Sequence, residues 1–244
     1  MFGILDRLYK FKKSLEGKIE ISFSKEPIIF GNLNNKEIWF YFIPRALFKY
    51  GFLSENFFIN NRTIYAYVSD VAMLLKENPK QTNILLNEIY QNACGNIEAR
   101  LKSGQKINFL GVSLGNVLAI RSAASYPCEK LVSISRGARL GTCAWDGILT
   151  RELAKNSGLS KEQYEQTLSE FDPIRYVPNV LANEIFVYIG SRDIIINSTY
   201  GKDLSNSFLH NHKNVKSRIY KYADHCSSIY FSSRDQFKRH QDFS

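Results

Sequence analysis

Short runs rich in β-branched and aromatic residues recur along this chain, and stretches with helical periodicity separate them. That alternation dictates a mostly parallel sheet, because strands running the same way must be joined by long crossovers, which are usually helices. Helices then cover both faces, so the strands are apolar on both sides. Residues 38–43 (IWFYFI), 63–68 (TIYAYV), 106–112 (KINFLGV), 130–135 (KLVSIS), 184–189 (EIFVYI) and 215–222 read as such strands, with 18–23 (KIEISF) and 27–30 as short edge strands. Leu85, Ile89, Ala93, Ile97 and Leu101 recur every four positions and mark a helix stopped by Gly104. Residues 116–125 are small and apolar, a tightly packed helix ending before Pro127. Helical patterns broken at Asn156-Ser157-Gly158 fill 146–171 and predict a small helical cap within 137–172. The expected class is α/β, and at 244 residues the chain forms one domain, since two would be cramped.

A hydrophobic content of 44% excludes disorder. The net charge of +9 comes from scattered basic residues with no aromatic-interleaved face, so a solvated basic surface is expected and no nucleic-acid partner. Within 1–16, Phe2, Ile4, Leu5, Leu8, Tyr9, Phe11 and Leu15 share one half of a helical wheel, with Arg7, Lys10 and Lys13 opposite. This amphipathic helix fits docking on the protein body better than a weak membrane-surface contact through 1–15. No apolar stretch approaches the roughly 20 residues of a spanning helix, and Asp6 and Arg7 interrupt the first apolar run, unlike a secretory signal. Cys94, Cys128, Cys143 and Cys226 lie far apart without a C-x-x-C pair, so neither a disulfide framework nor a metal site is expected, and a reducing cytoplasm is the simplest home.

Gly111-Val112-Ser113-Leu114-Gly115 fits G-x-S-x-G where a strand runs into a helix. A serine thrust out on so sharp a turn has a strained backbone, and bulky residues two positions away would strike the following helix or the adjoining strand. The turn also aims the Leu114 N–H at a reacting carbonyl oxygen, as one donor of an oxyanion hole. A serine hydroxyl needs a base. His225 follows a strand in Tyr222-Ala223-Asp224-His225, whereas His210 and His212 read as surface residues and His240 lies in a charged tail. Asp193, in Gly190-Ser191-Arg192-Asp193 after EIFVYI, is placed to orient the imidazole. Asp224 is too close in sequence to reach round to Nδ1, Asp172 reads as a cap or turn, and Asp146 as the opening of a helix. Cys143 is off any elbow and reads as a cap-base residue, Cys226 as a packing residue beside the histidine.

The order Ser113, Asp193, His225, each after its own strand, resembles the α/β-hydrolase superfamily. The likeness covers roughly residue 18 to the C-terminus: GVSLG resembles its elbow, YIGSRD its acid loop and YADHCSS its histidine loop, and SRGARLGTCAWDG with FDPIRYVPNV resembles the short cap of small hydrolases. The resemblance implies hydrolysis of a small-molecule ester or thioester through an acyl-serine intermediate, without metal or organic cofactor. It also implies a second oxyanion donor after the third strand, where many members carry His-Gly. Here that place reads Ile43-Pro44-Arg45, and since proline has no N–H the donor falls to Arg45, or to Ile43. Asp224 stands where glycine is common. The same three residues also suit an acyltransferase, and the fold alone suits a non-catalytic binding protein. The aromatic residues of 40–58 and Trp145 either line an acyl pocket or pack the core.

Overall fold

The computed structural model describes residues 26–44, 62–69, 75–135 and 137–241. The segment 1–16, the strand expected at 18–23 and Arg45 lie outside them.

Strands β1 (Ile28–Phe30), β2 (Glu37–Pro44) and β3 (Thr63–Ser69) precede helix α1 (Pro79–Lys102). Then come β4 (Lys106–Val112), α2 (Asn116–Ser125), β5 (Cys128–Ile134) and the short helices α3 (Leu140–Asp146), α4 (Arg151–Lys155) and α5 (Lys161–Leu168). The chain closes with β6 (Ala182–Gly190), α6 (Ser198–Asn211), β7 (Val215–Tyr220) and α7 (His225–Gln241). The sheet order is β1-β3-β2-β4-β5-β6-β7, and every neighbouring pair is parallel except β1 with β3. Strand register brings the C-terminal ends of β4, β5 and β6 level, with Val112 opposite Ile134 and Ile134 opposite Tyr188.

Because strand side chains alternate in direction, the sheet sorts its own core into two layers. On β2, Ile38, Phe40 and Phe42 join one buried cluster with α1, α2 and α6, while Trp39, Tyr41 and Ile43 join another with Ile229 of α7. Helices therefore cover both faces. Phe40 stacks on Tyr65 and Phe42 on Tyr67 within the first layer, so these aromatic residues are core.

Asn78 caps α1 by accepting the Lys80 N–H (3.0 Å), Pro79 starts it, and Gly104 follows its end at φ +72°. Its buried face is Leu86, Ile89, Tyr90, Ala93, Cys94 and Ile97, with Leu85 and Leu101 half-buried at the margins. A series spaced strictly by four drifts round a helix that repeats every 3.6 residues, so the true stripe alternates steps of three and four. Residues 146–171 hold the two expected helices, α4 and α5, on either side of the break at Asn156-Ser157-Gly158, while the unexpected α3 comes before them and Asp146 ends it rather than opening a helix. Its carboxylate receives Lys161 Nζ (2.9 Å) and the Tyr200 hydroxyl (2.6 Å), which joins α3 to α5 and α6. That hydrogen bond pushes the Tyr200 phenol up to about 12. Among the described residues no helix is long and apolar enough to cross a membrane, and no cluster of three His, Cys, Asp or Glu side chains could hold a metal.

Candidate active site

Ser113 follows β4 directly and takes a left-handed conformation, φ +52°, before α2 begins. Both flanking glycines are sterically required. A Cβ on Gly111 would lie 2.6 Å from Asn116 Cα, in the following helix, and one on Gly115 would overlap the Phe42 carbonyl, in the adjoining strand. The Leu114 amide lies in the first turn, whose N–H groups lack an intrahelical carbonyl.

His225 opens α7, and Asp224 explains where that helix starts. The Asp224 carboxylate accepts the Ser227 N–H (2.7 Å), an N-cap at the place where glycine was expected from the resemblance. Asp193 lies in the loop after β6, its Oδ1 accepting the N–H groups of Ile195 (3.0 Å) and Ile196 (2.9 Å). Those two bonds leave Oδ2 to face His225. The two loops are also joined directly: Ser191 N–H donates to Tyr220 O (3.1 Å), Arg192 N–H to Ala223 O (2.9 Å) and Tyr222 N–H to Ser191 Oγ (2.9 Å).

The three side chains meet. Asp193 Oδ2 is 2.7 Å from His225 Nδ1, and His225 Nε2 is 3.2 Å from Ser113 Oγ. All three are buried, at 6% (Ser113), 7% (Asp193) and 8% (His225) relative exposure. Such a line can draw the hydroxyl proton to Nε2 while the carboxylate holds the tautomer with its proton on Nδ1.

Other expectations fare differently. His212 is half-buried and bonds through Nε2 to Val177 O (2.6 Å), a pin for the end of α6 rather than a surface group. Cys226 is exposed rather than buried as a packing residue. Cys143 is buried beside Gly137. Asp172 receives the Leu140 N–H (2.5 Å) and so caps α3 from a distance. Trp145 is half-buried, its ring centroid 5.7 Å from that of Tyr164. Asn116, unremarked in the sequence, is fully buried and donates from Nδ2 to Ser113 O (3.1 Å) and Ile134 O (2.8 Å), fastening the elbow to β5. Its one signal is an asparagine at the first position of a helix whose next four residues are all apolar.

A mostly parallel sheet with its first strand antiparallel, helices on both faces and a serine on a strained strand-to-helix turn is the α/β-hydrolase fold. Solved structures with the same architecture include the acylaminoacyl peptidase of Pyrococcus horikoshii (TM-score 0.60, 14% identity, covering 88% of this chain and 37% of that one). Others are the esterase domain of a Rhodothermus marinus protein (0.57, 12%, 86% and 89%) and Est1E of Butyrivibrio proteoclasticus (0.58, 13%, 86% and 89%). No family model and no curated protein matches the chain. The likeness is one of fold; the chain spans little more than a third of the peptidase.

Proposed function

We propose that the chain is a serine hydrolase acting on a carboxylic ester or thioester. The observation that carries this reading is the unbroken, buried line from Ser113 Oγ through the His225 ring to Asp193. Ser113 Oγ attacks the acyl carbonyl while Nε2 takes its proton. The tetrahedral oxyanion is met by the Leu114 N–H, with Arg45 proposed as second donor. Collapse expels the alcohol or thiol, which recovers the proton from Nε2, and leaves an acyl-serine. Water, deprotonated by the same nitrogen, then releases the acid. One of these structural neighbours, matched over most of its own length, is described as an esterase domain, which favours an ester over a peptide bond.

The test is labelling with a fluorophosphonate. Mass analysis should find one adduct on Ser113, absent in Ser113→Ala and weakened in His225→Ala. A folded protein that never labels would mean a binding module instead. Release of free acid from a model ester, with no transfer product when an alcohol or amine acceptor is added, separates hydrolysis from acyl transfer.

A further inference from the structure

We infer that Ser135 and Ser228 are positioning residues, a pair of hydroxyls that fixes where His225 stands; the inference rests on the reading of Ser113 as nucleophile. Strand β5 lies between β4 and β6, the strands of the nucleophile and the acid, and supplies no member of the triad itself. Its next residue, Ser135, comes level with Ser113 at the same sheet edge. Ser135 is held in the left-handed region at φ +51°, a conformation few residues other than glycine adopt and one that surrounding contacts must sustain. One such contact is its N–H, which donates to Tyr188 O (2.8 Å) on β6. Another is its hydroxyl.

Ser135 Oγ lies 2.5 Å from Ser228 Oγ, and Ser228 Oγ lies 2.9 Å from His225 O. Both serines are essentially solvent-free, at 2% and 0% exposure. A hydroxyl has one hydrogen and a carbonyl only accepts, which sets the direction of the chain. Ser228 gives its hydrogen to His225 O, so Ser135 must donate to Ser228. A serine bonding back three residues is common in helices and by itself means little. Here a second buried serine, just past the end of β5 and in a strained backbone, closes on the first. Hydrogen bonds therefore tie the end of β5 to two members of the site: Asn116 to the elbow through Ile134 O, and Ser135 to the histidine through Ser228. Removing either hydroxyl frees the first turn of α7, and with it the 3.2 Å separation of Nε2 from Ser113 Oγ.

Ser135→Ala, Ser228→Ala and the double variant test this with a p-nitrophenyl ester and with the proton resonance of the His225 ring Nδ1–H, assigned by its loss in His225→Ala. Misplacement of a reacting group lowers turnover more than binding, so each single variant should lose about tenfold or more in kcat with KM changed less than about twofold. The chain is broken by either change, so the double variant should be no worse than the poorer single one. The resonance should move in both. Unchanged kcat with an unmoved resonance overturns the inference, and so do losses that multiply in the double variant. If the wild-type protein neither turns over the ester nor labels at Ser113, the hydrolase reading fails. The resonance then decides the pair alone: moved in both variants it supports the tie to His225, unmoved it overturns it.

Discussion

At the scale of single residues, the sharpest constraint is Gly115. Its α-hydrogen faces the Phe42 carbonyl, and a methyl group there has no room without moving β2 or the elbow. Gly115→Ala should therefore cost about 3 kcal/mol or more in urea denaturation, the range of severe overpacking and backbone strain, and should abolish labelling of Ser113. The two aspartates near the histidine make a second test. Asp193 faces Nδ1, so Asp193→Ala should lower kcat by on the order of 10³-fold or more. Asp224 caps α7, so Asp224→Ala should cost about 1 kcal/mol of stability with most of kcat retained. A reversal of that ranking in ester hydrolysis would reassign the acid. Ser113, Asp193 and His225 were legible because sharp turns and strand ends leave steric marks in sequence. The serine pair was not, since a left-handed serine at position 135 leaves no pattern behind.

At the scale of elements, legibility follows length and periodicity. The strand at 106–112 and the helix at 116–125 have the bounds their sequences predict, because each is bracketed by turn residues and fully apolar on one or both faces. The short helix α3 escaped because 7 residues span barely two turns, too few for a stripe to repeat. One cation helps to hold the segment that follows helices α3 to α5 to the body. Arg121 of α2 lies 4.2 Å from the Tyr90 ring centroid and 4.6 Å from that of Phe171, with Tyr176 at 5.6 Å and Glu170 in ion-pair contact at 3.3 Å. Arg121→Ala should cost about 2 kcal/mol through lost ring contacts and stem packing. Limited proteolysis should then cut within 156–158 faster than in the wild type. Equal cutting rates would show that α3 to α5 are held elsewhere.

At the scale of the whole molecule, the three proposed catalytic groups hang on strands of unequal security. Ser113 follows β4, whose neighbours on both sides leave only its first residue exposed. His225 belongs to the edge, where Lys216, Ser217, Arg218 and Ile219 of β7 are all exposed. Helix α7 is lightly anchored too: of its described side chains His225, Ser228, Ile229 and Ser232 are buried, and only Ile229 is a hydrocarbon. Burial of apolar area is what resists local opening, so β7 with α7 should open before β2, β4 and β5 do. The proposed base leaves the site in that partly open state while the central sheet persists. In a urea series, fluorophosphonate labelling of Ser113 should thus fall at a midpoint lower by about 0.5–1 M than loss of far-ultraviolet circular dichroism. Amide exchange should rank the same way, with β7 amides less protected than those of β4. Coincident midpoints and uniform protection would mean that the backbone bonds from Ser191 and Arg192 to β7 and its following loop weld the edge to the centre strongly enough for the sheet to unfold as one unit.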